Sequence, residues 1–131
     1  MDAFLDLFGL KRRENPRVVV NWLVDIKVPE SDGFIGLTAH DVSTDGIRLQ
    51  GNTTQAMRRI LSQGKRVNMS IKMPGGRQPL EVVGLLKWGP SEQEQPFAGW
   101  AFTQIDRDTR QAIQQYIDDH PEDILAEKPD A

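Results

Sequence analysis

The sequence predicts an all-β domain with minor α, a six-stranded antiparallel β-barrel closed by a C-terminal helix. Three observations predict it. Six short stretches between Val18 and Ile105 carry apolar residues at period two or are bounded by breakers on both sides. Turn-forming clusters, among them Pro29–Gly33, Asp45-Gly46 and Pro74-Gly75-Gly76, separate them. Only one long stretch, near the end, has the 3.6-residue stripe of an amphipathic helix. Many short strands at regular spacing with turn signals are the mark of a small barrel or sandwich.

The first strand is set by Val18, Val20, Trp22, Val24 and Ile26, which alternate with Val19, Asn21, Leu23, Asp25 and Lys27. Successive side chains of a strand point to opposite faces, so one face is buried. Pro16 ends any helix before it, because its ring disfavours helical geometry at Asn15. Phe34–Val42 is the second strand, and Asp45-Gly46 signals a hairpin in which Gly46 can take a positive φ. Ile47 and Leu49 make a short third strand. Thr53–Ser62 breaks the period and suits a helix of two to three turns, capped by Thr53 or Thr54 and stopped by Gly64. Val67, Met69, Ile71 and Met73 define the fourth strand. Leu80, Val82, Gly84, Leu86 and Trp88 are the inward set of the fifth. Phe97–Ile105 is the sixth, with Ala98, Trp100 and Phe102 on one face. Asp106 then caps a helix over Arg107–Asp119 whose stripe is Ala112, Ile113, Tyr116 and Ile117.

The organisation expected is an apolar N-terminal segment at 1–10, a domain at 11–120 and a flexible acidic tail at 121–131. The 131 residues suit one domain with one core. No apolar run is long enough to span a bilayer. Met1–Leu10 is acidic, and its basic residues follow the apolar part, the reverse of a secretory signal. The absence of cysteine excludes disulfides and thiolate metal sites and fits a reducing, cytoplasmic setting. The net charge of −3 argues against general DNA or RNA binding. The charge is unevenly spread: Lys11–Arg17 has four basic residues and one acidic, whereas Asp106–Ala131 has eight acidic and three basic. A focused basic patch on an acidic protein suits a small anion.

Two stretches carry the chemistry. Lys11-Arg12-Arg13-Glu14-Asn15-Pro16-Arg17 places three guanidinium groups just before the first strand, and Asp41-Val42-Ser43-Thr44-Asp45-Gly46 places a carboxylate, a hydroxyl and a glycine at a turn. A planar guanidinium can make paired hydrogen bonds to phosphate or to the O6/N7 edge of guanine. A carboxylate can accept from both N1–H and N2–H of a guanine. Each stretch alone reads more readily as a solvated tail or as turn chemistry. Their joint occurrence points to one anion- and guanine-binding site.

Arg13-Glu14-Asn15-Pro16-Arg17 resembles the RxxxR signature of the PilZ domain family, and Asp41–Gly46 resembles its [D/N]xSxxG signature. The resemblance covers roughly Arg12–Asp119 and extends to Gly99-Trp100-Ala101-Phe102. It implies a barrel that binds the second messenger cyclic di-GMP, with no other cofactor. Arg13 and Arg17 would hold phosphate and a guanine Hoogsteen edge. Asp41 would read a guanine, Ser43 and Gly46 would line the site, and Arg12 would favour a stacked pair of nucleotides. The family further implies a bacterial adaptor that passes the signal to a protein effector, as a monomer or a homodimer. The helix-like insert at Thr53–Ser62 departs from the pattern.

Other readings are weaker. His40, Asp41 and Ser43 suggest a triad, but strand alternation sends residues 40 and 41 to opposite faces. Two histidines and no cysteine support no metal site, so no enzyme is expected. A single-stranded nucleic-acid barrel needs exposed aromatics and a basic groove. An adaptor that binds only protein would dispense with the arginines.

Overall fold

The structure is a computed structural model and describes residues 16–27, 33–51, 58, 60, 65–76, 78–89 and 97–125. Six antiparallel strands run as β1 (Val18–Lys27), β2 (Phe34–Val42), β3 (Gly46–Gln50), β4 (Arg66–Lys72), β5 (Leu80–Trp88) and β6 (Phe97–Gln104). They close into a barrel in the order β1-β2-β3-β6-β5-β4. The alternation of β1 is kept without a break: Val18, Val20, Trp22, Val24 and Ile26 are buried, and the residues between them face outward. Leu37, Ala39, Val42, Ile47, Leu49, Val67, Met69, Ile71, Val82, Ala98 and Trp100 complete the core from the other strands. Each such aliphatic side chain contributes roughly 1.5–3 kcal/mol on leaving water, which fixes the register of every strand.

The helix α1 (Arg107–Asp119) covers the barrel with Thr109, Ile113 and Ile117. Asp106 caps it as expected, its carboxylate accepting from the Thr109 amide at 2.7 Å. Hydrogen bonds from Thr109 hold the Asp106 carboxyl below its ordinary range. The Tyr116 ring meets Trp22 edge-on at 4.8 Å and stacks on His120 at 3.9 Å. Tyr116→Ala is therefore expected to lower unfolding free energy by about 2 kcal/mol. A urea midpoint unchanged from wild type would show that this ring does not hold the helix. After α1 the chain makes a 3-10 turn over Pro121–Asp123. Ile124 then bridges to Val18, and the Leu125 amide donates to the Arg17 carbonyl at 2.7 Å. Residues 121–125, assigned to the acidic tail from sequence, thus return to the start of β1.

Two expectations are corrected. Trp88 does not point inward: β5 carries an extra residue, Lys87, between the pairs Leu86–Trp100 and Trp88–Gly99. That bulge turns Trp88 to the outer face, where it is 45% exposed. Gly46 does not take a positive φ, which among the described residues occurs only at Gly75. The hairpin has Thr44 and Asp45 at its tip, and the Ser43 amide donates to the Gly46 carbonyl at 2.9 Å. Gly46 is needed for closeness instead: a Cβ there would lie 2.8 Å from the Trp100 carbonyl oxygen. Of the expected insert helix, Arg58 and Ile60 are helical and Ile60 is buried; its remainder, like the segment 1–10, lies outside the described residues.

Candidate functional site

Asp41 is placed by a fault in the β2 ladder. Ala39 pairs with Leu49 and Asp41 pairs with Arg48, which leaves His40 as an extra residue against β3. Ala39 and Val42 both enter the core, while Asp41 joins Arg48 on the outer side. Strict alternation would have put Asp41 beside Ala39 in the barrel interior, where a carboxylate is costly. The bulge also brings His40 and Asp41 together, with His40 Nδ1 3.2 Å from Asp41 Oδ2. The expectation that alternation holds these two residues apart is corrected on that ground. Ser43 still does not join them, because its hydroxyl donates to Asp45.

Asp41 is only 2% exposed and is ringed by cations. Arg17 Nε donates to Oδ1. Arg48 Nε lies 2.6 Å from Oδ2, its N–H turned off the line to the oxygen, so the pair is ionic rather than a well-aligned hydrogen bond. Burial pushes the Asp41 carboxyl up. The Arg17 hydrogen bond and charge, a His40 hydrogen bond and the Arg48 charge push it down and prevail, leaving it below the ordinary carboxylate value. His40 Nδ1 also stands 2.7 Å from Arg48 Nη2. It can serve one partner at a time, accepting from the guanidinium when bare and donating to the carboxylate when protonated. The two arginines exceed the one carboxylate in charge, so the cluster favours an anion. Both guanidinium groups keep some solvent exposure, with side chains 18% and 31% accessible.

The turn beneath is fixed by its own side chains. Ser43 is fully buried. Its hydroxyl donates to the Asp45 carboxylate and accepts from the Asp45 amide at 3.3 Å. From α1, Arg110 Nη1 donates to the Thr44 carbonyl at 3.3 Å. The Phe102 amide donates to the Asp45 carbonyl at 2.9 Å and ties the turn to β6. Ser43 thus acts on the site by shaping the turn. Gly46 borders Arg17, since a Cβ there would lie 3.7 Å from Arg17 Nη1.

Four of the six site residues named from sequence, Arg17, Asp41, Ser43 and Gly46, fall in this one region, and Arg12 and Arg13 lie outside the described residues. Sequence reasoning missed Arg48 and Phe97, and considered His40 only as part of a triad that it set aside. The Arg48 guanidinium lies over the Phe97 ring at 5.4 Å, and His40 meets the same ring edge-on at 5.5 Å. Arg48 was legible only as an outward position of β3; that it faces Asp41 depends on the bulge. Among the described residues no three His, Asp or Glu side chains gather to hold a metal ion. Nor is any helix among them long and apolar enough to cross a membrane.

A closed six-stranded barrel, with an arginine ahead of β1 seated on the aspartate before a Ser-x-x-Gly turn, defines a recognisable class of small β-barrel domain. The family model for the PilZ domain matches residues 11–119, and the chain belongs to that family. The PilZ domain of YcgR from Escherichia coli, solved with c-di-GMP, is similar in fold with a TM-score of 0.63 at 16% identity, over 86% of this chain and 93% of that one. The Bacillus subtilis inhibitor of motility MotI (DgrA) gives 0.62 at 16% identity, over 86% of this chain and 52% of its own. YcgR from Escherichia coli in complex with c-di-GMP gives 0.62 at 14% identity, over 86% and 47%. This chain therefore spans about half the length of MotI and of the longer YcgR chain. No curated protein sequence matches it.

Proposed function

We propose that this chain is a cyclic di-GMP receptor and adaptor of the bacterial cytoplasm. The observation that carries the reading is that Arg17 and Asp41, 24 positions apart and from different motifs, meet in one charge network on the outer face of the barrel. The network offers guanidinium donors to phosphate and to a guanine Hoogsteen edge, and a carboxylate that stays ionised for guanine N–H donors. Membership of the PilZ family and the c-di-GMP complexes of YcgR's PilZ domain support the same ligand.

Arg12 and Arg13 would bring further guanidinium groups to a dianionic nucleotide. Their mutual repulsion is relieved when the ligand neutralises them, and the arm then folds onto the barrel and alters the surface offered to a protein effector. Amide exchange of residues before Val18 should slow on binding; unchanged protection would sink the switch while leaving the receptor intact. The function in this reading is recognition rather than catalysis; the Ser43 hydroxyl, which donates to Asp45, braces the turn.

Calorimetric titration tests the reading. Cyclic di-GMP should give saturable heat, and GTP and cyclic di-AMP should not. Removing one charge-assisted contact costs roughly 1.5–3 kcal/mol, so Arg17→Ala should weaken binding by about 10- to 100-fold. Arg13→Ala/Arg17→Ala should abolish it. A folded wild type that gives no heat with cyclic di-GMP would overturn the proposal.

A further inference from the structure

One atom of the charge network is claimed by two neighbours. His40 Nδ1 lies 3.2 Å from Asp41 Oδ2 and 2.7 Å from Arg48 Nη2. A ring nitrogen serves only one of them. Bare, it accepts from the guanidinium and faces the carboxylate lone pair to lone pair. Protonated, it donates to the carboxylate and sets its N–H against those of Arg48. One of the two contacts is therefore always unmade, and the shorter distance, to Arg48, is that of the bare nitrogen. The β2 bulge creates the conflict, because in an unbroken ladder His40 and Asp41 would face opposite sides.

Arg48 is itself poorly satisfied. Its Nε is buried, yet the N–H has no aligned acceptor, although Asp41 Oδ2 is 2.6 Å away. The Phe97 ring beneath its guanidinium fixes no particular hydrogen bond. A phosphate, or the O6/N7 edge of a guanine, offers a guanidinium two aligned acceptors at once, which neither Asp41 nor His40 does here. A ligand that engages Arg48 thus releases His40 Nδ1. The charged groups that then face the imidazole are Asp41 from β2 and the ligand's phosphates, with Arg17 on the far oxygen of Asp41 and Arg48 drawn toward the ligand. From β6 it meets the uncharged Phe97 ring edge-on at 5.5 Å.

We propose that His40 couples nucleotide binding to a proton: when the ligand engages Arg48, Nδ1 takes a proton from solvent and donates it in a hydrogen bond to Asp41. The imidazole becomes an imidazolium, and the complex holds one more proton than the free chain. The added phosphate charge favours the imidazolium over the other neutral tautomer. The inference rests on the cyclic di-GMP reading above and adds a positioning residue that lies outside both sequence motifs. Its sign follows from linkage. A complex that holds more protons is favoured by acid, so affinity is greatest below the pH at which His40 titrates in the free chain. That gain is lost as the pH rises through the titration of His40 in the complex. Asp41, held below the ordinary carboxylate value, stays ionised across the histidine range.

Calorimetry of the full chain with cyclic di-GMP tests it, in buffers of small and large ionisation heat and at several pH values from about 5.5 to about 8. The observed heat should depend on the buffer, with the sign of proton uptake. Affinity should be about 3- to 10-fold tighter at the acid end than at the alkaline end, which corresponds to a titration moved by up to about one pH unit. His40→Asn puts an amide where Nδ1 stood. It cannot titrate, so its affinity should not vary with pH and its heat should not depend on the buffer. The chain has two histidines, and the other, His120, stacks on Tyr116 at the end of α1. His120→Asn should keep both wild-type dependences, and it assigns the proton to His40 even where His40→Asn does not fold. Wild-type heat that is the same in every buffer, or a pH dependence that survives in His40→Asn or disappears in His120→Asn, would overturn the proton coupling and leave the receptor standing. A folded wild type that gives no heat would overturn both.

Discussion

Replacing the buried Gly46 with alanine is expected to lower unfolding free energy by about 2–3 kcal/mol, a large effect for a single methyl group. The added Cβ would sit 2.8 Å from the Trp100 carbonyl oxygen and 3.6 Å from Ala101 Cα. Both are backbone atoms of the strand paired with β3, since Gly46 pairs with Ala101 and Ile47 with Trp100. No rotamer change can relieve such a contact, so the start of β3 must move away from β6. That movement strains the Phe102–Asp45 hydrogen bond, which anchors the turn from its other side. It also displaces the Asp41–Arg48 pair carried by the same hairpin. Urea unfolding read by linear extrapolation measures the loss. A variant within about 0.5 kcal/mol of wild type would show that the strands part easily and that close approach is not the reason for glycine.

What was legible in the sequence depended on whether local pattern and global fold agreed. The alternation of β1 is unbroken from Val18 to Lys27, and the strand was read at its full length. The Asp106 cap and the stripe of α1 were equally plain, because the signal of a helix end is local. The misassigned faces occur where a ladder slips by one residue. At His40 and Lys87 the period-two rule assigns the wrong face to the residue that follows, and those residues are Asp41 and Trp88. Nothing in the sequence around either position marks a bulge. Arg48 was missed for the same reason, since its partner becomes known only once the register is. The motif residues Arg17 and Asp41 were found by type and spacing, whereas the contact between them is a product of β1–β2 pairing.

Asp41→Asn is expected to destabilise the protein by about 1–3 kcal/mol at neutral pH, less than the 3–5 kcal/mol of a fully buried pair because both arginines remain partly hydrated. The substitution keeps the shape of the side chain and removes its charge, so its effect should depend on pH in one direction. The Asp41 carboxyl is held below its ordinary value in the folded protein. The unfolded chain, titrating near pH 3.9, therefore takes up its proton first as acid is added. The contribution of the ion pairs is present in full above that pH and is lost as the pH falls through the folded-state value. Denaturation curves of wild type and Asp41→Asn should accordingly stay apart from neutral pH to about pH 5 and converge below about pH 4. A gap that stays constant into strong acid would mean that the carboxylate charge contributes nothing and that only packing was disturbed. The same variant separates the two functions of the cluster. With the carboxylate gone, Arg17 and Arg48 keep their attraction for phosphate, while one of the two acceptor oxygens for guanine N–H donors is replaced by an amide NH2 that can only donate. Asp41→Asn should therefore retain weak binding of nucleotides in general and show a narrowed preference for cyclic di-GMP over cyclic di-AMP, whose adenines have no N1–H or N2–H to donate. Retained preference would place guanine recognition elsewhere on the barrel.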